Sequence, residues 1–282
     1  MEADRNSQGL HLCQTKYIYD LLYRTNMVGA KPLSSPTVTG TKLSSFDGEV
    51  LSNPKDYRHI IGALQYYTTT RPDIAYVVNQ LCQYIHQPRS SYWQAMKRVL
   101  RYLKGIVNDD LYYTPSFLDI HTYCDSNWAG NPNDRRSTSG YDVFLGRNLV
   151  SWSSKKQHVV FRSSIEAEYR SMALATTEFY WIQMLFKELG IGISSTPTLW
   201  CDNISAISLA SNPVFHARTK HMEINYHFIR EKVYNRDVKV QHISTLDQVA
   251  NIYMKGQSAQ RFQVFEAQIN SFFTPHQFEG GC

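Results

Sequence analysis

The stretch that decides the fold class is residues 121–170, HTYCDSNWAGNPNDRRSTSGYDVFLGRNLVSWSSKKQHVVFRSSIEAEYR. Strand-like runs occupy 118–126, 140–144 and 149–153, and residues typical of turns separate them. A long helical pattern then extends from about Ser164 to Leu189. Three consecutive strands followed by a helix predict a meander whose face is covered by that helix.

The chain continues with a second alternation of strands and helices. A strand at 198–202 leads into a helix that ends near 211, and a further helix is predicted from about 219 to 235. A strand at 238–243 and a short helix at about 245–255 follow. The order βββαβααβα predicts an α/β domain with a five-stranded sheet.

Residues 1–116 have a different character. Helical patterns are predicted at about 13–28, 56–69 and 71–86, and an amphipathic helix is predicted over Ser91–Lys104. This part carries 13 Lys and Arg against 9 Asp and Glu, so it is the basic part of the chain. We therefore expect a smaller, mostly helical domain ahead of the α/β domain.

Composition narrows the functional class. The 282 residues are 43% hydrophobic and 19% charged, and the net charge of +5 permits nucleic-acid binding. No run of about 20 apolar residues and no secretory signal is evident, so no membrane association is expected. The five cysteines form no Cys-x-x-Cys pair, which argues against disulfides and against a zinc site.

Three acidic residues occupy positions where they can converge. Asp125 and Asp202 end strands that are predicted to be neighbours, and Glu168 lies in the first turns of the covering helix. Each acid alone is more simply a cap or a surface ion pair. Together they form the anionic oxygen cluster that Mg²⁺ prefers, and two such ions can stabilise the attacking and leaving oxygens at phosphorus.

The order of these acids along the chain separates two chemistries. Enzymes of DNA strand transfer of the Asp-Asp-Glu type place their glutamate last, on a late helix. Here the glutamate falls between the two aspartates. This order favours hydrolysis of RNA in a hybrid and disfavours strand transfer.

Residues 121–170, WCDNISAISLASNPVFHARTKHMEINYHFIREKV (200–233) and VQHISTLDQVANIYMKG (240–256) resemble the ribonuclease H domain of copia-type LTR retrotransposon polyproteins. YRHIIGALQYYTTTRPDIAYVVNQLCQYIHQP (57–88) and AMKRVLRYLKG (95–105) resemble the segment after the reverse transcriptase palm of the same polyproteins. The resemblance implies a helical segment at 1–116, a ribonuclease H-like domain with a mixed five-stranded sheet at 117–256, and a C-terminal tail at 257–282. It also implies cleavage of RNA in RNA:DNA hybrids. The Tyr-x-Asp-Asp motif of the polymerase is absent, so no polymerase activity is expected.

The resemblance implies that Asp125, Glu168 and Asp202 are the catalytic, metal-binding acids and that two Mg²⁺ ions are the cofactors, with Mn²⁺ as a substitute. Asn251 stands where the family has a fourth metal-binding aspartate. An amide offers one neutral oxygen, so the second ion should be held poorly and activity should be weakened. Glu166 is interpreted as a cap of its helix. No small-molecule cofactor is expected.

Basic residues at four places are candidates for contact with the hybrid. On the predicted helix they are Lys97, Arg98, Arg101 and Lys104; after the first strand they are Arg135 and Arg136; at a predicted hairpin tip they are Lys155 and Lys156; and after Asp202 they are His216, Arg218, Lys220, His221 and Arg230. A solvated basic surface is the simpler interpretation of each group.

We therefore expect a retrotransposon ribonuclease H whose partners are an RNA:DNA hybrid and, in addition, an intact element's reverse transcriptase. The expected location is the cytoplasm, within the element's particle, with the nucleus as the alternative. A catalytically dead, hybrid-binding remnant of a degenerate element remains the alternative function.

Overall fold

The structure is a computed structural model that describes residues 1–108, 111–193, 195–211 and 223–269, with side chains described from 226 onward in the last range. The front part contains four α-helices and a short 3₁₀ helix. Their bounds are α1 Thr15–Arg24, α2 Pro54–Tyr67, the 3₁₀ helix Pro72–Ile74, α3 Ala75–Cys82 and α4 Ser90–Gly105. The predicted helix at 71–86 is therefore a 3₁₀ turn and a shorter α-helix.

A small antiparallel sheet accompanies these helices. It consists of β1 Glu2–Arg5, β2 Leu10–Cys13 and β3 Leu111–Tyr113 in the order β1-β2-β3. The sequence does not predict this sheet, because strands of three or four residues show too little alternation to stand out.

The central element is a mixed five-stranded sheet. Its strands are β4 Ile120–Asn127, β5 Thr138–Leu145, β6 Asn148–Lys156, β7 Thr198–Cys201 and β8 Lys239–His242. The spatial order is β6-β5-β4-β7-β8, with β4, β5 and β6 antiparallel and β4, β7 and β8 parallel. This arrangement confirms the predicted α/β, ribonuclease H-like fold.

Helices cover both faces of the sheet. The helices around it are α5 Ser164–Glu188, α6 Ile204–Ser211, α7 Glu223–Tyr234, a second 3₁₀ helix Val249–Tyr253 and α8 Ala259–Ile269. One hydrophobic core lies between the sheet and α5, α6 and α7. The second core joins the front helices to the 3₁₀ helix Val249–Tyr253, to α8 and to the opposite face of β5 and β6. No helix within the described ranges is long and apolar enough to cross a membrane.

The predicted tail contributes to the second core. Its first helix, α8, buries Phe262, Phe265 and Ile269 against the front helices. The predicted domain limits at 116 and 256 stay predictions, and residues 270–282 lie outside the described residues.

A buried polar cluster, the Arg71 network, ties these parts together. The Arg71 guanidinium donates to both carboxylate oxygens of Asp73, at 3.0 and 2.6 Å. The Tyr102 hydroxyl lies between the carboxylates of Asp73 and Glu266, and Glu266 belongs to α8. Arg71, Asp73 and Tyr102 are almost completely buried. The buried guanidinium is therefore compensated by carboxylates on both sides, as buried charges generally are.

Candidate active site

Strand register brings the two aspartates to the same edge of the sheet. β4 and β7 run parallel with Tyr123 opposite Trp200, so Asp125 and Asp202 lie level, two residues beyond that pair. Parallel neighbouring strands place their carboxyl ends together; here Asp125 is among the last three residues of β4, and Asp202 directly follows β7.

The start of α5 brings in the glutamate. The Ser163 hydroxyl accepts from the Glu166 N–H at 3.3 Å, and the Glu166 carboxylate accepts from the Arg162 N–H at 3.1 Å. Glu166 thus accepts a backbone N–H just before the first turn of α5, which supports its interpretation as a cap of the helix start. Two residues further on, Glu168 lies on the buried side of the helix. The Ser171 hydroxyl, 2.8 Å from the Asp125 carbonyl oxygen, ties that side of α5 to β4.

Gly140 allows the 3₁₀ helix Val249–Tyr253 to pack closely against β5. At Gly140 of β5 a Cβ atom would lie 2.9 Å from the Ala250 carbonyl oxygen and 2.8 Å from the Tyr253 Cβ. These separations are shorter than real Cβ contacts allow, so a side chain at position 140 would push the 3₁₀ helix away. Glycine there fixes residues 249–253 beside the site.

The three acids line one cavity of about 460 Å³, which we call the acid cavity. Its lining residues are Asp125, Ser126, Asn127, Trp128, Glu168, Asp202, Asn203, Ile204, Ser205, Met254 and Lys255. One oxygen each of Glu168 and Asp202 and the Cys201 Sγ lie within 4.8 Å of one another. The structure therefore brings together all three predicted acids.

Burial and neighbouring carboxylates raise the proton affinity of Asp125 and Glu168. Burial and the Asp202 carboxylate raise the pKa of Asp125 to about 6. Burial and the Asp125 carboxylate raise the pKa of Glu168 well above its usual range. A hydrogen bond between the two carboxyl groups lowers the pKa of Asp125 and raises that of Glu168. The acids therefore carry more negative charge than the neighbouring groups neutralise.

This arrangement fits a divalent cation. Glu168 Oε2 is buried and makes no hydrogen bond with any of the described residues. The Asp202 Oδ2 accepts from the Thr245 hydroxyl at 2.8 Å, which orients that carboxylate. Carboxylate oxygens are the ligands that hard divalent cations take, and a cation here would relieve the repulsion among the acids. The buried Cys201 thiol, which sequence reasoning did not include, also faces the acids.

Asn251 is buried in the 3₁₀ helix and is not among the residues that line the acid cavity. Its amide nitrogen donates to the carbonyl oxygens of Thr245 and Gln248, at 3.2 and 3.0 Å. Its Oδ1 is buried without a partner among the described residues. The amide group is thus engaged with the local backbone, which an aspartate could not be in the same way.

The predicted basic face of α4 is largely covered. Lys104 donates to the Ala30 carbonyl oxygen at 2.7 Å, and Arg101 donates to that of Lys31 at 2.7 Å. Arg98 donates to the Ser35 hydroxyl at 3.0 Å. Lys97 is exposed and stays available to a ligand. Arg98, Arg101 and Lys104 therefore hold the loop that follows α1, a role that the sequence pattern does not reveal.

The other predicted basic residues also differ in their surroundings. Arg135 and Lys155 are exposed. Lys156 Nζ lies 2.8 Å from the Asp134 carboxylate, and Arg136 Nε lies 3.6 Å from the same carboxylate. The prediction of a hairpin tip at Lys155 and Lys156 is wrong, because both residues end β6 and the β5–β6 turn lies at the other end of the strand.

Four predicted contacts, His216, Arg218, Lys220 and His221, lie outside the described residues. Arg230 is described and donates to the Leu209 carbonyl oxygen at 3.1 Å. It therefore joins α7 to α6.

Two cavity residues were not among the sequence-based candidates. Trp128 is 45% exposed at the cavity, while its indole N–H donates to the Phe161 carbonyl oxygen at 3.0 Å. Lys255 lines the same cavity. Nothing in its sequence neighbourhood marks it out, because the 3₁₀ helix and the turn after it bring it to the acids.

Comparison with known proteins gives high similarity to transposon polyproteins. The chain is 48% identical over 276 residues to the retrovirus-related Pol polyprotein from transposon RE2 of Arabidopsis thaliana, covering 98% of this chain and 19% of that protein. It is 36% identical over 270 residues to the corresponding polyprotein from transposon TNT 1-94 of Nicotiana tabacum, covering 93% and 20%. It is 47% identical over 182 residues to an uncharacterized mitochondrial protein of Arabidopsis thaliana, covering 64% and 75%. The chain thus spans about a fifth of the length of these polyproteins.

Solved structures give weaker similarities. A foamy viral protease–reverse transcriptase in complex with RNA/DNA hybrid aligns with a TM-score of 0.47 at 9% identity, covering 91% of this chain and 30% of that one. LC11-RNase H1 in complex with RNA/DNA hybrid aligns with a TM-score of 0.38 at 16% identity, covering 48% and 94%. No family model matches the chain.

Proposed function

The chain belongs to the family of retrovirus-related Pol polyproteins of copia-type transposons, and from this premise we propose that its ribonuclease H-like domain hydrolyses the RNA strand of RNA:DNA hybrids. The observation that carries the proposal is the convergence of Asp125, Glu168 and Asp202 in one cavity without a compensating ion pair among the described residues. The Asp–Glu–Asp order along the chain supports hydrolysis over strand transfer.

Asp125, Glu168 and Asp202 would hold the divalent cation. We propose Mg²⁺ as the physiological ion and expect Mn²⁺ to substitute, because both accept oxygen ligands. When bound, the cation supplies the positive charge that activates water and stabilises charge on the scissile phosphate. A carboxyl group must be deprotonated to hold the cation, and the pKa of Asp125 is raised to about 6, so cation binding should weaken as the pH falls toward 6.

Asn251 should lower activity. Its amide replaces a charged ligand and is engaged with two backbone carbonyls outside the cavity lining. The second ion therefore lacks an anionic anchor, so we expect slow cleavage that requires a higher cation concentration than an aspartate at this position would.

Recognition of the hybrid would be through backbone shape and the 2′-hydroxyl, with little reading of base sequence. Among the predicted contacts that the structure describes, Lys97, Arg135 and Lys155 are exposed. An intact element's reverse transcriptase is the proposed protein partner, and the element's particle in the cytoplasm, or the nucleus, is the proposed location.

The placement of Asn251 also favours a second candidate, a remnant that binds hybrid without cutting it. The two candidates differ in one assay. End-labelled RNA annealed to DNA is incubated in Mg²⁺ or Mn²⁺ with the unaltered chain, with Asn251→Asp and with Asp125→Asn. Slow cleavage by the unaltered chain, faster cleavage by Asn251→Asp and none by Asp125→Asn are expected.

Cleavage by Asn251→Asp alone would support the remnant. If all three proteins are folded by circular dichroism and none cuts, the assignment of this cavity as an active site is wrong.

A further inference from the structure

The acid cavity contains one residue of opposite charge. Among the described residues that line it, only Lys255 is cationic. It is half-buried, and it follows the 3₁₀ helix that Gly140 admits to the sheet. A cation beside three acids could be their counter-ion or could face the open side of the cavity toward a ligand.

The backbone on both sides of Lys255 is fixed. The Asn127 amide, at the end of β4, donates to the Met254 carbonyl oxygen at 3.3 Å. The buried Gln257 amide lies 3.4 Å from the Lys255 carbonyl oxygen and donates to that of Asn251 at 3.1 Å. Met254 itself is buried. The ammonium group is therefore carried by an anchored segment and stays near the cavity rim.

Lys255 lines the acid cavity without forming a direct pair with an acid. Across the described residues, no carboxylate oxygen lies within 4.0 Å of Lys255 Nζ, whereas Lys156 and Lys232 both form such pairs. A lysine that served as counter-ion would be expected to close onto a carboxylate in a cavity of this size.

We propose that Lys255 binds a backbone phosphate of the nucleic acid and positions it over the three acids. The inference rests on the proposed function, since it names the phosphate-binding residue of that site. An ammonium group is a compact point charge that binds phosphate without demanding one orientation. Once a divalent cation satisfies the carboxylates, the Lys255 charge is left for the phosphate that approaches from the open side. The Lys255 charge would partly replace that of the second cation, which Asn251 is expected to bind poorly.

Hybrid binding without cleavage tests the proposal. Fluorescence anisotropy of a labelled RNA:DNA hybrid is measured in Ca²⁺ over a NaCl series, with intact RNA verified on a gel. The proteins are the unaltered chain, Lys255→Gln, Lys255→Arg and Lys187→Gln, the last being an exposed lysine at the end of α5, outside the acid cavity. Lys255→Gln should bind about five- to tenfold more weakly, and the slope of log affinity against log salt should fall by about one. Lys255→Arg should keep most of the affinity, and Lys187→Gln should match the unaltered chain.

A second readout separates phosphate binding from neutralisation of the acids. Mn²⁺ binding is titrated without nucleic acid, and Lys255→Gln should bind the ion as tightly as the unaltered chain or more tightly. Unchanged hybrid affinity and salt slope in Lys255→Gln, beside tight binding by the unaltered chain, would overturn the role of Lys255 alone. If the unaltered chain does not bind the hybrid at all, the proposed function itself is contradicted, and the inference fails with it.

Discussion

The Arg71 network and the acid cavity each bury an aspartate to the same degree, but the two aspartates have opposite electrostatic surroundings. Asp73 and Asp125 are each 3% exposed. Asp73 receives two hydrogen bonds from a buried guanidinium. Asp125 instead faces Asp202 and Glu168, and its pKa rises to about 6. A buried charge that is compensated within the chain supports structure, whereas one left uncompensated is suited to a cation from outside.

The largest expected effect comes from breaking the compensated side. Arg71→Met should lower the free energy of unfolding by about 3–5 kcal/mol, because it leaves the Asp73 carboxylate buried without its partner. Urea denaturation measures this, with the exposed Arg162→Met as control. A loss no larger than that of the control would mean that the Arg71 network does not hold the front helices to α8.

Removing charge from the uncompensated side should have the opposite sign. Asp125→Asn should raise the free energy of unfolding by about 1–3 kcal/mol in EDTA at pH 7.5, since each pKa unit corresponds to about 1.4 kcal/mol. Asparagine keeps the oxygen that accepts from the Ser126 N–H. Thermal or urea unfolding measures the change, and destabilisation of similar size would contradict the account of mutual repulsion.

The pH dependence of stability should show the same cause with a smaller effect. Because the folded chain keeps the Asp125 proton up to about pH 6 and an unfolded aspartate releases it near pH 4, the folded state binds more protons between these values. Stability in EDTA should therefore fall by about 1–2 kcal/mol as the pH rises through this window. The fall should shrink in Asp125→Asn when unfolding is compared at pH 4.5 and pH 7. Equal falls in both proteins would show that other groups dominate.

The smallest effect is expected at an exposed ion pair. Asp134, which lies 2.8 Å from Lys156, is partly exposed, and water screens the interaction. Asp134→Asn should change the free energy of unfolding by less than about 1 kcal/mol. A loss comparable with that of Arg71→Met would show that burial is not what separates the two kinds of charge.

The sequence predicts the α/β part well, because its strands and α5 carry long apolar patterns and its two aspartates lie at or near the ends of strands. Asp125, Glu168 and Asp202 could be placed together from strand order and one covering helix. The front helices were likewise predictable from periodicity.

Lys255 and the loop contacts of α4 were not predictable. The position of Lys255 depends on a 3₁₀ helix seated against Gly140, a contact between distant parts of the chain. Arg98, Arg101 and Lys104 look like a solvated basic face until the loop at 30–35 is placed over them. Asp73 and Asp125 look alike in sequence, since tertiary contacts alone decide which one receives a guanidinium.

The most direct test of the central claim is Mn²⁺ binding, followed by the loss of the free-ion signal in electron paramagnetic resonance. Asp142 provides the matched control, because it is completely buried, burial raises its pKa, and it lies outside the acid cavity lining. The unaltered chain and Asp142→Asn should bind Mn²⁺, whereas Asp125→Asn should not. Equal binding by Asp125→Asn and the unaltered chain would contradict the central claim.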